Sequence, residues 1–262
     1  MAGTQAIKIK FGINKDYHIA HTLYCCEYRR FSSSEHSSSL VEFQRFVKTN
    51  YPVHYEFIVS QRPEKFLDYR TNEEFCEFFG NHLVNKLTRF FKEIARSKEF
   101  SPILSQTEDY LKFCKKQWES NYPKTLRMME ELTGLRFHSS FAVYLTHPSL
   151  RNGRNIGGNV LLWGHNEDWP NYTTIYLWHE IMHSYLGYDD LDHAIIELLV
   201  DNELRTRLNG GSYPPMIGHE HLAQLRMEIL PFWEDYLKMQ KKDIKKFRDS
   251  LSALNIQVKK SI

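Results

Sequence analysis

This chain of 262 residues lacks the features that define several common protein classes. Its four cysteines include no Cys-x-x-Cys pair and no closely spaced framework, which argues against a disulfide-stapled scaffold and predicts reduced, packed thiols. No apolar run approaches the roughly 20 residues that a membrane-spanning helix needs. The first ten residues also lack the apolar core of a signal peptide, so we expect a cytoplasmic protein that does not enter a membrane.

A strong excess of either charge is also missing. The 34 lysines and arginines nearly balance 32 acidic residues, for a net charge of +2. This balance gives no electrostatic argument for binding nucleic acid. One basic cluster near the end of the chain is more typical of a solvated helix face; it comprises Lys241, Lys242, Lys245, Lys246 and Arg248.

The apolar patterning predicts a predominantly α-helical α+β protein that forms a single compact unit over residues 1–262. Residues 1–133 are predicted to form a mainly helical lobe, because apolar residues recur at helical spacing, after a short strand within 7–13. Residues 134–262 are predicted to form the second lobe, with strands within 135–145 and 159–163. We expect these strands to form a small sheet over a two-helix site.

The sequence His179-Glu180-Ile181-Met182-His183 indicates a metal site. Histidines four residues apart lie on one face of a helix and can bind one metal ion, and Glu180 is placed to act on a water bound to that ion. The neighbouring residues are apolar on nearly all sides, which predicts a buried helix. Buried histidines need internal partners, and a shared cation would serve both.

The third ligand is predicted from the next helix. Gly187 is typical of a helix end, and a short polar loop follows it. If the second helix runs back antiparallel, Glu197 lies level with His183, and Asp201 one turn later lies level with His179. Glu197 would then bind the metal, while Asp201 would accept a hydrogen bond from the imidazole nitrogen that faces away from it.

Three other interpretations of this helix remain. Glu203 is a rival ligand, but it lies deeper along the helix and on a different face from Glu197. Glu197 could instead bond to buried backbone or to an arginine. His193 shares the face of Glu197 and Asp201, and we expect it to support the site or cap the helix without binding the metal.

Over roughly residues 135–210 the chain resembles zinc metallopeptidases of the gluzincin type, the thermolysin-like superfamily with its compact members. The resemblance consists of the two-histidine motif and the Glu197-x-x-x-Asp201 arrangement on the following helix. It implies a zincin-like fold and Zn²⁺ as cofactor, with His179, His183 and Glu197 as ligands. It also implies that Glu180 is the catalytic base and that Asp201 orients a ligand.

Two details of the resemblance remain open. Thermolysin-like enzymes have a longer gap before the ligand glutamate, which favours Glu203, although Arg207 one turn later could not orient a histidine. Gluzincin-like folds also place an edge strand above the site. The stretch 155–164 is either that rim or an ordinary core strand.

The sequence therefore predicts a zinc metallopeptidase that acts on a peptide or protein, with Glu180 as general base. The donor that stabilises the reacting carbonyl oxygen is not identified; the candidates are Tyr185, Tyr188, His193, Tyr213, His219 and His221. Two alternatives remain. One is a helical interaction protein with a structural or vestigial metal site, and the other is a zinc amidohydrolase that does not cleave peptides. The oligomeric state is not predicted.

Overall fold

A computed structural model describes residues 7–32, 38–210 and 217–254. Over these residues the chain forms ten α-helices, with one π-helical stretch, Glu197–Leu204, which we call the π segment. The helices are α1 (Lys15–Glu27), α2 (Ser38–Asn50), α3 (Pro52–Val59), α4 (Glu73–Ile94), α5 (Ser101–Thr133), α6 (Tyr172–His183), α7 (Asp190–Ile196), α8 (Arg205–Asn209), α9 (Ala223–Lys238) and α10 (Ile244–Ala253). The predicted class, α+β and predominantly helical, is confirmed.

The described strands form one four-stranded sheet in the order β1-β2-β4-β3, comprising β1 (Lys8–Gly12), β2 (Ser140–Leu145), β3 (Asn152–Asn155) and β4 (Val160–Gly164). β1, β2 and β4 are parallel, whereas β3 runs antiparallel to β4. β4 is therefore an interior strand of the sheet. Of the two interpretations of residues 155–164, a rim above the site or an ordinary core strand, the second applies to β4. The edge position beside α6 belongs to β3, whose sequence is Asn-Gly-Arg-Asn.

The buried apolar residues form two clusters. The first, which we call the N-terminal core, lies among α1 to α4 and the start of α5. The second, the site core, contains α6, the sheet and the C-terminal helices. The site core also includes Ile7 beside β1 and Trp118 in α5, so the two cores do not divide at the predicted boundary after residue 133. The reason is that β1 pairs with β2 across more than 120 residues, and α5 is long enough to reach both cores.

Helix α6 is buried along almost its whole length, as its apolar surroundings in the sequence predict. Trp178 on this helix packs against Trp118 and Tyr122 of α5 and against Phe137 before β2. On another side α6 contacts β3 and β4, so the sheet covers the helix as expected. Within the parts of the chain that the structure describes, no helix has the length and apolar character needed to cross a membrane.

Candidate metal centre

The two motif histidines lie one turn apart on α6. The Nδ1 atom of each ring lies next to a hydrogen-bond acceptor. His179 is 3% exposed and its Nδ1 lies 3.0 Å from Oδ1 of Asp201. His183 is 7% exposed and its Nδ1 lies 2.7 Å from the carbonyl oxygen of Gly187. Because a carbonyl oxygen only accepts, His183 Nδ1 must donate; a carboxylate favours the same arrangement at His179. In the neutral imidazoles, both Nε2 atoms are then free to bind a metal.

A third imidazole joins this pair from α7. Nε2 of His193 lies 3.1 Å from Nε2 of His179, and the His193 ring meets both motif rings edge to face. Ligand atoms of His179, His183 and His193 all lie within 4.8 Å of one another. The side chain of His193 is 22% exposed, so this cluster has an accessible side.

The position of Glu197 differs from the prediction. Its carboxylate does not join the cluster of His179 and His183; instead it lies in an adjoining cluster with His193 and His219. Glu197 is completely buried and pairs with Arg226 of α9. Its Oε1 also accepts from the backbone N–H of His219 at 2.6 Å and lies 2.6 Å from Nδ1 of that ring.

The ligand set predicted from the sequence is not assembled, because Arg226 of α9 and the N–H of His219 engage the Glu197 carboxylate in the adjoining cluster. His193, one helical turn before Glu197, lies beside the motif histidines instead. The prediction also treated the second helix as regular, whereas α7 ends at Ile196 and the chain continues as the π segment. Asp201 within this segment nevertheless contacts His179.

The loop before α9 closes around Glu197. Asn202 of the π segment holds this loop, because its Nδ2 donates to the carbonyl oxygen of Ile217 and its Oδ1 accepts from the N–H of Ile217. Gly218 follows with a φ of +151°, and a side chain there would collide with the Glu197 carboxylate. A glycine is thus needed both for this backbone conformation and for the close approach.

The other predicted residues of the second helix also have defined positions. Asp201 contacts His179, which is the contact that the sequence predicted. Glu203, the rival ligand, pairs with Arg207 at 2.6 Å, and Arg207 also reaches Glu131. Among the described residues, Glu203 belongs to neither of the two clusters that could hold a metal ion.

Glu180 lies on the side of α6 that faces β3. A Cβ built on Gly153 would lie 3.9 Å from Oε1 of Glu180, and the side-chain amide of Asn155 donates to the Glu180 carbonyl oxygen. Burial raises the pKa of the Glu180 carboxyl, while His179 and the main chain of Asn155 lower it. A carboxylate with a raised pKa is better matched to proton transfer near neutral pH than an exposed one.

Because the imidazole rings of this cluster lie close together, protonation of one ring disfavours protonation of the others. Burial and the neighbouring His179 lower the pKa of His183 to about 4. Burial and the other histidines lower the pKa of His193 to about 2. Burial alone would lower the pKa of His179, but Asp201 outweighs it and raises this pKa to about 9. The cluster thus favours positive charge at His179 and neutral rings at His183 and His193.

Of the candidate donors for a carbonyl oxygen, His193 belongs to the cluster itself, and His219 and Tyr188 contact its rings. The His219 ring lies 4.6 Å from that of His193, and its side chain is 55% exposed. Tyr188 stacks on His183, and its hydroxyl donates to Asn155. Tyr185 instead bonds to the segment before β2, and His221 packs against His219. Tyr213 lies outside the described residues.

Sequence reasoning missed Arg226, although a signal was present. Leu222, Leu225 and Ile229 form the buried face of the α9 region, and Arg226 lies on that face with 4% exposure. An arginine on an apolar face and a glutamate in an apolar run each need a partner. Pairing the two lone charges would have identified the contact with Glu197.

No protein-family profile, no curated protein and no solved structure matches this chain.

Proposed function

We propose that this protein is a zinc-dependent metallopeptidase in which His179, His183 and His193 bind the ion and Glu180 is the general base. The observation that carries the proposal is the convergence of three imidazoles, two from α6 and one from α7, with the buried Glu180 also on α6. Three protein ligands leave one position open for water, as catalytic zinc sites require.

The donor set fits a zinc ion. Tetrahedral ligands at Zn–N distances of about 2.0–2.1 Å lie about 3.3–3.4 Å apart, close to the 3.1 Å between His179 and His193. A direct hydrogen bond between these two rings would explain that distance without His183, whereas one cation would be shared by all three residues, whose ligand atoms lie within 4.8 Å of one another. Imidazole ligands suit zinc and several transition metals, and the His-Glu-x-x-His helix favours zinc.

Glu180 moves the proton in this mechanism. When bound, zinc makes water nucleophilic near neutral pH. The Glu180 carboxylate accepts the proton of the attacking water and delivers it to the leaving nitrogen of the peptide. Burial against β3 keeps this carboxyl away from bulk water, and the edge strand lies beside it where an extended substrate would pass.

His219 is the proposed donor to the developing negative charge on the carbonyl oxygen. Its Nδ1 donates to Glu197, which Arg226 holds in turn, so Nε2 donates to the carbonyl oxygen when the ring carries both protons. In this mechanism Glu197 orients His219 instead of binding zinc. Tyr188 is less suited because its hydroxyl already donates to Asn155.

The decisive experiment is Glu180→Gln. We expect bound zinc, measured by plasma mass spectrometry, to persist while cleavage of a broad peptide library falls by about 10²- to 10⁴-fold. Glu119→Gln, on an exposed face of α5, is the matched control and should leave both unchanged. Undiminished turnover of Glu180→Gln would reject the proposed role.

The same assays separate the alternatives. Stoichiometric zinc without cleavage of any peptide would favour an interaction protein with a structural metal, and cleavage of non-peptide amides alone would favour an amidohydrolase. The expected substrate is a peptide or protein. All four cysteines are free thiols, which supports the proposal of a cytoplasmic location.

A further inference from the structure

A cavity of about 320 Å³ opens where α1, the segment around residues 62–64 and the start of β3 meet. Its lining is rich in arginine and contains a single acidic residue. The charged lining residues are Arg30, Arg62, Arg151, Arg154 and Glu64.

Most of this positive charge has no counterion. Arg154 pairs with Glu64, but Arg30, Arg62 and Arg151 form no ion pair with any residue that the structure describes. These three arginines are exposed, and Arg30 lies over the ring of Tyr24.

The floor of the cavity is buried, polar and uncharged. Tyr17 accepts a hydrogen bond from Asn152 at 2.9 Å, and Nε2 of His21 lies 3.5 Å from Sγ of Cys25. Burial and the nearby Arg30 lower the pKa of His21 to about 3, so this ring is neutral at physiological pH. The cavity thus joins neutral hydrogen-bonding groups inside to guanidinium groups at its mouth.

Gly153 connects this cavity to the candidate catalytic residue. It lines the cavity, and a Cβ built on it would lie 3.9 Å from Oε1 of Glu180 and 3.3 Å from the ring of Trp163. The cavity and the Glu180 carboxylate therefore both adjoin Gly153 of β3. Because β3 is an edge strand, an extended peptide beside it would pass both.

We propose that this cavity binds an acidic side chain of a peptide substrate whose backbone lies along β3. The catalytic part of this inference rests on the proposed function. Guanidinium groups bind carboxylates through two parallel hydrogen bonds, which distinguishes a carboxylate from an amide of the same shape. The volume is near the lower limit of small-ligand pockets, about 300–1,000 Å³, and suits one side chain.

A peptide carboxylate fits better than a nucleic acid. The net charge of the chain is only +2, and the unpaired arginines surround one cavity next to a strand edge. Binding to a phosphate backbone would instead need a track of basic groups.

The first test is substrate discrimination. Zinc-loaded protein is given two internally quenched peptides that differ only by Glu or Gln at one position, with that position moved along the peptide in a series. At one position we expect kcat/KM for the Glu peptide to exceed that for the Gln peptide by about 10- to 100-fold, as for one charged contact. The double variant Arg62→Gln, Arg151→Gln should bring this ratio close to one. Arg45→Gln, on the exposed face of α2, should leave the ratio unchanged.

The second test separates the cavity from catalysis. Glu180→Gln protein loaded with zinc is titrated into fluorescein-labelled forms of the two peptides, and binding is followed by anisotropy. Arginine-dependent preference for the Glu peptide, without cleavage by the unmodified protein, would reject the peptidase and support the cavity. Cleavage with no preference at any position would overturn the cavity inference and leave the peptidase intact.

Additional ligands in the binding assay identify which kind of anion the cavity binds. All peptides carry a C-terminal amide, so that the varied side chain is their only carboxylate. Tighter arginine-dependent binding of a free C-terminal carboxylate or of a phosphoserine peptide would overturn the assignment to an acidic side chain. If an oligouridine displaced the Glu peptide from the unmodified protein but not from the double variant, the ligand of the cavity would instead be a nucleic acid.

Discussion

The N-terminal core and the site core differ in the ionisable groups that they bury. Around the N-terminal core these groups include the histidines His18, His21 and His147, and burial lowers the pKa of each. In the site core, acids and an arginine are buried next to partners of opposite charge or beside imidazoles; they are Glu180, Asp192, Glu197, Asp201 and Arg226. All the described Asp, Glu and Arg residues that are buried belong to this second region.

The difference has a physical reason. A histidine can lose its charge at a small free-energy cost near neutral pH, so it can be buried in the neutral form without a charged partner. An arginine cannot lose its charge, and its burial with Glu197 is costly unless the pair is well bonded. In this protein the pair positions a side chain, because Glu197 contacts both Arg226 and the ring of His219 beside the imidazole cluster.

The strongest way to break the comparison is to remove an imidazole from the cluster. His193→Ala should abolish stoichiometric zinc binding, because only His179 and His183 of the cluster remain. Zinc content after dialysis measures this, with Glu203→Gln as a control that keeps its zinc. Loss of zinc from Glu197→Gln, with retention in His193→Ala, would restore the ligand set predicted from the sequence.

Arg226→Met tests whether charge pairing in the site core is essential. The substitution leaves the Glu197 carboxylate buried without its partner, so we expect the free energy of unfolding to fall by about 3–5 kcal/mol. Urea denaturation measures this change. Adding Glu197→Gln to the variant should recover part of the loss, because the unpaired charge is then removed.

The matched control is Arg207→Met, since Arg207 is partly exposed and pairs with the exposed Glu131 as well as with Glu203. We expect that variant to lose about 1 kcal/mol or less. Equal losses for the two arginines would contradict the contrast between buried and surface pairs.

The parts of the fold that the sequence predicted are those fixed by local pattern. Alternating or β-branched runs identified β1, β2 and β4, and helical periodicity identified most helices. β3 was not predicted, because Asn-Gly-Arg-Asn has neither pattern and becomes a strand only through pairing with β4. The extension of α5 into the site core depends likewise on long-range packing.

The site divides in the same way. His179, Glu180 and His183 could be predicted because a four-residue spacing on a helix determines their relative positions. The contact of His179 with Asp201 was also predicted, whereas His193 and not Glu197 lies beside the two motif histidines. That difference depends on Arg226 from α9 and on the loop at Gly218, which spacing along one helix cannot reveal.

Acidification should destabilise the protein through the buried neutral histidines around the N-terminal core, and His147 is an example. Nε2 of His147 lies 2.6 Å from Oε1 of Gln106, and its Nδ1 accepts from the N–H of Ser149. A proton on Nδ1 would face another donor, and burial lowers the pKa of this ring to about 4. The folded state then binds fewer protons than the unfolded state between pH about 6.5 and about 4, so stability falls as pH drops through this window.

Urea denaturation at pH values between 7 and 4 measures this loss. His147→Gln keeps a side-chain donor but cannot be protonated, so the pH dependence of its unfolding free energy should be shallower. A slope identical to that of the unmodified protein would place the acid sensitivity elsewhere.

The smallest expected effect concerns Asp201, the carboxylate behind the proposed metal ligand His179, and its replacement tests whether the site core needs charge there or only a hydrogen bond. Asp201→Asn keeps an oxygen that can accept from Nδ1 of His179 but removes the negative charge, so His179 becomes a weaker donor to the metal. We expect zinc affinity, measured by competition with a chelator, to fall by about 10- to 100-fold. Glu203→Gln removes a carboxylate from the same π segment outside the cluster and should not change the affinity. If Asp201→Asn also leaves it unchanged, the hydrogen bond alone is sufficient, and the buried charge of Asp201 serves stability instead of metal binding.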